Sequence, residues 1–355
     1  MAVPLPAVLP PSESRVEPQW KAQVEALLVA ARRRTPSDWN LQDASALFVD
    51  WMYGRGCQEL TVKSRYILVR CFLQWCRDAA GNLDVKIPDR DLLRRFFGEL
   101  KAHGRRGNTI DRYRSSLQLF FAYLVKLGVR DDNPMDLLHI RPQVKPLPIT
   151  VLRDDELQAL LQTADLVYQA VPDRRTAGKL QAFRDKVLLE LLLATGLRGV
   201  EVAALKVGDV DLERARLAVR GKGGGIYVKR RRTAFIDHPV LLADLKAYIQ
   251  QQGGSTEFPL FPSQYRTHLT SLGVRKILKR LARKAGLTRR VYAHLFRHTY
   301  CCHLINHGAD AYSVQKLMGH TQIEVTLQYY LHLTPAEVRA DWQAHSPLAE
   351  EVPPC

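Results

Sequence analysis

Apolar residues recur at intervals of three and four through the first part of the chain, which is the spacing of one helix face. Glycine residues fall between these amphipathic stretches and mark places where helices would end. The pattern predicts five helices, at residues 20–34, 41–53, 61–77, 89–103 and 109–127. This part of the protein is therefore expected to be an all-helical module.

The pattern changes after a proline-punctuated stretch, HIRPQVKPLP, at residues 139–148. Prolines at this density favour an extended linker over a helix, so a domain boundary is expected here. Two more helices are predicted at residues 154–166 and 180–194. The second is apolar nearly all round, which indicates burial, and Gly196 is expected to form its C-cap.

Strand character follows at residues 217–220 and 226–236, on either side of a glycine-rich segment. Glycine tolerates the backbone angles of a tight turn, so the pattern predicts a hairpin with Lys222 at its tip. Helical spacing then returns, at residues 240–251, 269–285, 294–307, 310–318 and 322–331. The expected fold is mainly α, with a small β-hairpin in the second domain.

A length of 355 residues also favours two domains over one. The expected organisation is a proline-rich extension with a short helix, a helical domain, the linker, a second domain and a tail. Their boundaries are 1–35, 36–138, 139–148, 149–340 and 341–355.

The charge balance indicates a polyanionic partner. The 52 lysines and arginines exceed the 36 aspartates and glutamates, which gives a net charge of +16. Neutralising phosphates releases counterions and supplies affinity for nucleic acid, although a solvated basic surface is the simpler alternative. Clustering favours nucleic acid, because residues 214–232 and 275–290 each contain eight basic residues and no acid. The expected DNA contacts are Arg105, Arg106, Arg112, Arg114, Arg275, Lys276, Lys279 and Arg280.

Neither a membrane nor an export signal is indicated. The N-terminal segment is apolar but broken by prolines and lacks a basic start, and no apolar run approaches the length of a membrane span. The expected compartment is the cytoplasm.

Candidate catalytic residues lie in two separated stretches. Arginine can clamp a phosphate with two parallel hydrogen bonds, lysine and histidine can move protons, and a tyrosine hydroxyl can attack phosphorus. Together these types suggest cutting and rejoining of DNA through a phosphotyrosine, with no metal and no cofactor. The residues are Arg198, Lys222, His294, Arg297, His320 and Tyr329.

Metal binding is the main competing interpretation of the histidines. His294 and His298 are four residues apart, and His303 and His307 repeat that spacing, which also occurs in zinc sites. However, the chain has no H-E-x-x-H motif and no suitably placed third carboxylate or thiol, and neighbouring arginines would repel a divalent cation. No metal site is therefore predicted.

Four segments resemble the signature boxes of the tyrosine recombinase (phage integrase) family, with Xer-like bacterial recombinases most similar in pattern. They are ATGLRGVEV, RGKGGG, HLFRHTYCCHLINHGADAYSVQKLMGH and TLQYY. Their order and spacing also fit. The resemblance covers residues 149–340, and the helical part before it is similar to the family's SAM-like core-binding domain.

The resemblance implies specific roles at the phosphate. Arg198 and Arg297 would bind the non-bridging oxygens of the scissile phosphate, and His320 would donate a hydrogen bond to it. Glu201 would support the first arginine.

The resemblance also implies the groups that move protons and attack. Lys222 would protonate the departing 5′ oxygen, His294 would assist proton transfer from the nucleophile, and Tyr329 would attack. The family commonly has a histidine two residues after the nucleophile, where this chain has leucine, so Tyr330 stays an alternative. Lys229 is a second candidate for the acid.

The function implied is site-specific recombination through a 3′-phosphotyrosyl intermediate and a Holliday junction. The partners implied are double-stranded DNA with specific recombination sites and three further subunits, as a homotetramer or a heterotetramer with a paralogue. The two domains would close as a clamp on the duplex, and the tail either docks on a neighbouring subunit or is frayed. Alternatives are a type IB topoisomerase, a catalytically silent DNA-binding protein of this fold and a zinc hydrolase.

Overall fold

The computed structural model describes residues 19–35, 38–81, 84, 88–136, 138, 149–174, 176–220, 231–320 and 322–330. The described residues form two compact units, one up to residue 138 and one from residue 149 onward. Lys222, Lys229, the predicted linker and the predicted tail lie outside the described residues.

Five helices make up the first unit, and each begins and ends within three residues of its predicted position. They are α1 (Trp20–Arg32), α2 (Leu41–Gly54), α3 (Glu59–Ala80), α4 (Arg90–Ala102) and α5 (Gly107–Lys126). The start of α2 is a capping box. Asn40 Oδ1 accepts hydrogen bonds from the backbone N–H groups of Gln42 and Asp43, and the Asp43 carboxylate accepts one from Asn40 N–H.

An aromatic cluster forms part of the core where α3, α4 and α5 meet. The buried ring of Phe96 has edge-on contacts with Phe72, Trp75 and Tyr113, at centroid distances of 5.0, 5.3 and 5.4 Å. Trp75 satisfies its indole N–H by donating to the Glu99 carboxylate at 2.8 Å. This packing fixes α4 against α5, and thereby the basic loop between them.

The first prediction concerns the capping box. We expect Asn40→Ala to lower the free energy of unfolding by about 1 kcal/mol, because two backbone donors lose their acceptor. Gln58→Ala is the matched control, since Gln58 occupies the N-cap of α3 without a side-chain capping bond. Urea unfolding followed by circular dichroism measures both, and equal stabilities of the two variants would contradict the prediction.

The second unit contains eight helices and three short strands among its described residues. The helices are α6 (Asp154–Gln169), α7 (Thr176–Thr195), α8 (Gly199–Ala204), α9 (Pro239–Gln252), α10 (Ser271–Lys284), α11 (Ala293–Asn306), α12 (Ala311–Met318) and α13 (Ile323–Tyr330). The strands are β1 (Val210–Asp211), β2 (Arg216–Arg220) and β3 (Arg231–Phe235). The predicted mainly α fold class with a small β-sheet is confirmed.

The three strands form one antiparallel sheet with β2 in the centre. Leu217 and Val219 of β2 are buried, and Leu217 pairs with the buried Ala234 of β3. This alternation places one face of the sheet on the core. Arg220 pairs with Arg231 at the end of the ladder, so the predicted pairing of two strands is confirmed.

Two elements were not predicted from the sequence, α8 and β1. A six-residue helix and a two-residue strand are too short to show a hydrophobic period. The α8 helix matters for the site, because it begins immediately after Arg198.

Candidate active site

The site begins at the turn that follows α7. Gly196 ends that helix with φ +57°, the left-handed conformation expected of a C-cap. A Cβ at this position would lie 2.6 Å from the Tyr300 ring, so the turn packs directly on α11. Arg297, also from α11, donates to the Gly196 carbonyl at 2.9 Å.

Arg198 is held by a capping box at the start of α8. Its backbone N–H donates to Glu201 Oε2 at 2.9 Å, and its guanidinium donates to Oε1 at 2.7 Å. The other end of the guanidinium lies 3.4 Å from the Gly319 carbonyl. The Arg198 side chain is 27% exposed and Glu201 only 2%, so the arginine can meet a ligand while its carboxylate partner cannot.

Arg232 is a third arginine at the site, and sequence reasoning missed it. It donates to Glu201 Oε2 at 3.0 Å and to the Leu317 carbonyl at 2.6 Å. Burial raises the pKa of Glu201, but Arg232 and Arg198 hold it below its ordinary value. The two-residue period of a strand could have indicated this position. Arg232 is two residues from the buried Ala234 and therefore lies on the same, inward face of β3.

Arg297 completes an arrangement at the C-terminal end of α12. It is 3% exposed and donates to the Met318 carbonyl at 2.5 Å. Three guanidiniums therefore lie on three consecutive carbonyls, with Arg232 on residue 317, Arg297 on 318 and Arg198 on 319. Burial lowers the pKa of Arg297 to about 10, with a smaller contribution from Arg198, so it stays protonated at neutral pH.

His320 follows this helix end directly. Its Nδ1 lies 2.8 Å from Thr326 Oγ1, and both side chains are buried. Burial lowers the pKa of His320 to about 4, and the charges of Arg297 and Arg198 act in the same direction. The imidazole is therefore neutral at pH 7.

Tyr329, on α13, is 8% exposed and packs on a small cluster that includes Cys301 and Met318. Its phenol oxygen lies 2.6 Å from His298 Nδ1, and its ring stacks on that of His320 with a centroid distance of 6.3 Å. Burial raises the pKa of Tyr329 to about 12, against the lowering effect of Arg297. At rest the phenol is therefore protonated.

His298 is a second functional candidate that sequence reasoning did not assign. The resemblance pointed to His294, yet among the described side chains the hydrogen-bond partner of the Tyr329 phenol is His298. His294 is more exposed, with its ring 6.2 Å from that of His298. The spacing of four residues from His294 to His298 was visible in the sequence but could not show which ring meets the tyrosine.

The DNA-contact candidates of α10 separate into two groups. Arg275, Lys276 and Lys279 are exposed, opposite the buried apolar face of the helix. Arg280 instead forms an ion pair with the Asp185 carboxylate, which is 2% exposed. Its charge is already paired within the protein.

Two of the four candidates near α5 also have side-chain partners within the unit. Arg112 donates to Ser64 Oγ at 2.6 Å, and Arg114 forms an ion pair with Asp111 at 2.8 Å. Arg105 is half-buried and Arg106 is exposed at the N-cap of α5. Their contact with DNA stays a prediction.

None of the helices in the described part of the chain combines the length and apolar character that a membrane crossing needs. Among the same residues, no three or more histidine, cysteine, aspartate or glutamate side chains are grouped so that they could hold a metal ion.

Residues 150–337, more than half of the chain, match the Phage integrase family. Tyrosine recombinase XerC of Bacillus subtilis (strain 168) is 32% identical over 268 residues, which cover 72% of this chain and 80% of that protein. Tyrosine recombinase XerD of Listeria monocytogenes serotype 4b (strain F2365) is 29% identical over 296 residues, covering 83% and 95%.

Two solved structures share the fold. One is the Tn1549 transposon integrase in complex with transposon right end DNA, with a TM-score of 0.66 and 21% identity over 85% of this chain and 99% of that one. The other is a lambda integrase dimer bound to a COC′ core site, with a TM-score of 0.62 and 17% identity over 82% and 95%.

The chain therefore belongs to the phage integrase family of tyrosine recombinases. It is an Xer-like, DNA breaking-rejoining enzyme of site-specific recombination. The resemblance stated from the signature boxes is confirmed. The alternative of a type IB topoisomerase is not favoured, because the relatives are recombinases.

The second prediction concerns Gly319, which has φ +62° at the end of α12. A Cβ there would lie 2.6 Å from Arg232 Cδ, so we expect Gly319→Ala to displace this arginine and, with it, the candidate site residues Arg198 and Arg297 beside it. A displacement of about 1 Å can cost about 10²-fold in rate. Cleavage of a labelled DNA substrate measures the loss.

Gly308→Ala is the matched control. Gly308 also has positive φ, at +80°, but a Cβ there would meet nothing within 4 Å. Both variants carry the backbone strain of about 1–2 kcal/mol, and only Gly319→Ala adds the collision. Equal cleavage rates in the two variants would refute the positioning role of Gly319.

Proposed function

We propose that Tyr329 attacks the scissile phosphate of a specific DNA site and forms a 3′-phosphotyrosyl intermediate, which is resolved through a Holliday junction. The observation that carries the proposal is the position of the protonated Tyr329 phenol. This group, on α13, lies beside the arginine cluster that contacts the C-terminal end of α12. The charges of Arg297 and Arg198 act on that phenol and favour its ionised form.

Arg198 and Arg297 are the proposed ligands of the non-bridging oxygens. Each guanidinium has five N–H groups, and the contacts with Glu201 and the α12 carbonyls leave further donors on both. Negative charge grows on the phosphate as the phosphorane forms, so donors fixed in advance stabilise the transition state more than the ground state. Arg232 is proposed to position Arg198 through their shared Glu201.

His320 is proposed to donate a hydrogen bond to the same phosphate. A neutral imidazole carries one ring proton, and His320 Nδ1 lies 2.8 Å from Thr326 Oγ1. We propose that the Thr326 hydroxyl donates to Nδ1, which would keep the ring proton on Nε2. The low pKa of His320 supports this role, since the ring stays neutral and keeps one acceptor and one donor nitrogen.

Lys222 is proposed to protonate the 5′ oxygen as the P–O5′ bond breaks, with Lys229 as the second candidate. The support is the pairing of β2 with β3 up to Arg220 and Arg231, because these two strands flank the sequence segment that contains Lys222. Arg232 of β3 holds this hairpin to the end of α12. The phosphotyrosine conserves the energy of the broken bond, so another strand's 5′ hydroxyl can attack without ATP, and we propose neither cofactor nor metal.

The proposed partners are double-stranded DNA with specific recombination sites and three further subunits, as a homotetramer or with a paralogue. The similarity to the tyrosine recombinases XerC and XerD, and the DNA bound in the two solved structures, support DNA as the substrate. We propose residues 36–138 as a core DNA-binding domain and 149–340 as the catalytic domain. A DNA substrate also favours a cytoplasmic, nucleoid-associated location.

The third prediction tests the nucleophile. We expect Tyr329→Phe to abolish the covalent adduct on a nicked suicide DNA substrate, because the attacking oxygen is gone. Tyr330→Phe is the control on the same helix and should retain the adduct. Gel electrophoresis of denatured reactions measures both, and loss of the adduct in Tyr330→Phe alone would transfer the role to Tyr330.

The fourth prediction tests the exposed face of α10. We expect Lys279→Ala to weaken DNA binding and to reduce the slope of log affinity against log salt by about 1, because one phosphate contact is lost. The control is Lys246→Ala, an exposed lysine on α9 outside the two basic runs. Fluorescence anisotropy at several salt concentrations gives the slopes. Equal slopes in Lys279→Ala and the unmodified protein would contradict the predicted contact between α10 and DNA.

A further inference from the structure

His298 is the side chain that meets the reacting oxygen. Its Nδ1 lies 2.6 Å from Tyr329 Oη, which is a short hydrogen bond, and the ring centroids are 5.6 Å apart. The two residues are on α11 and α13, whose relative position is fixed by the cluster of Cys301, Ile305 and Met318 beneath the tyrosine. The contact therefore depends on tertiary packing rather than on sequence proximity.

We propose that His298 is a catalytic residue that accepts the phenolic proton of Tyr329 during strand cleavage. This inference rests on the proposed role of Tyr329 as nucleophile. In the step, the O–H bond of Tyr329 breaks and its proton moves to His298 Nδ1, while the Oη–P bond forms. The P–O5′ bond breaks, and the 5′ oxygen takes a proton from the general acid.

The other two histidines are less suited to this transfer. His320 has its Nδ1 engaged by Thr326, and its other ring nitrogen is the proposed donor to the phosphate. His294 lies one turn before His298 on α11, with its ring perpendicular to that of His298 at 87°. Among the described side chains, the hydrogen-bond partner of the phenol is His298.

The surroundings of His298 favour the neutral imidazole, which is the form that can accept a proton. Burial lowers its pKa, and the neighbouring His294 and Arg297 lower it further, so the imidazole is neutral at neutral pH. The proposed step uses the tautomer with the ring proton on Nε2, in which Nδ1 accepts the hydrogen bond from the phenol. The phenol, in contrast, holds its proton at rest. Transfer becomes favourable only as Oη bonds to phosphorus, because the bonded phenol oxygen is then far more acidic. Attack and proton transfer are thus coupled in one step.

The test begins with His298→Asn, because an asparagine amide can retain a hydrogen bond near Nδ1 but has no basicity. We expect the single-turnover rate of adduct formation on nicked suicide DNA to fall about 10²-fold, the typical contribution of a general base. His303→Asn is the matched control, an exposed histidine of the same helix, and should cleave at the unmodified rate. DNA binding and circular dichroism of each variant report folding.

A second measurement separates proton acceptance from positioning. Tyr329 is replaced by a fluorinated tyrosine, whose phenol is more acidic and needs a base less. We expect the loss caused by His298→Asn to shrink several-fold with this nucleophile, since its proton leaves more readily. A purely positioning histidine would give the same loss with both nucleophiles, and that result would overturn the proposal.

The remaining outcomes are also decisive. A rate in His298→Asn equal to that of His303→Asn would overturn the proposal while leaving the nucleophile intact. An adduct that persists in Tyr329→Phe would instead refute the proposed role of Tyr329 as nucleophile. The two failures are therefore distinguishable.

Discussion

Three arginines on the last carbonyls of one short helix join separate elements of the second unit at the candidate site. The C-terminal end of a helix presents unpaired carbonyls and a partial negative charge, which favours cations. At α12 these cations come from three different elements, Arg198 from the start of α8, Arg232 from β3 and Arg297 from α11. Removing any one would leave a carbonyl at this helix end without its arginine donor and would release one element from the site.

Glu201 neutralises part of the positive charge of this arginine cluster. Two arginines share its buried carboxylate, while Arg297 is paired only with carbonyl oxygens among its described contacts. The cluster therefore holds more positive than negative charge in a partly desolvated site. Such an excess costs free energy unless an anion is bound. In the proposed reaction, a phosphodiester supplies the missing charge. Burial lowers the pKa of the nearby imidazoles and the excess charge lowers it further, so both keep these rings neutral.

The sequence could predict the parts of the fold that have a strong period. The α11 helix was expected at residues 294–307 and is observed at Ala293–Asn306, because its apolar spacing is long enough to detect. The six-residue α8 has no detectable period. Arg232 lies in a run of basic residues that is typical of a solvated or DNA-facing strand, and only the buried alternation of β3 reveals its inward direction.

The sequence predicted which residues belong to the site better than it predicted the contacts between them. Arg198 and Arg297 were identified through their segments, and both lie at the end of α12. The pairing of His298 with Tyr329 joins two helices whose relative rotation depends on how Met318 and its neighbours pack. Such a rotation is a property of side-chain volumes in three dimensions, and a linear pattern does not contain it.

The burial of Tyr329 also bears on the lifetime of the broken strand. A phenol with a pKa near 12 is a poorer leaving group than an exposed tyrosine, because the phenolate released on rejoining is less stable. In the proposed reaction, the phosphotyrosyl bond would therefore resist reversal until a proton is returned to Tyr329 Oη. In the proposed reaction, the apolar packing that restrains the attack would thus also give the severed strand time to change partners.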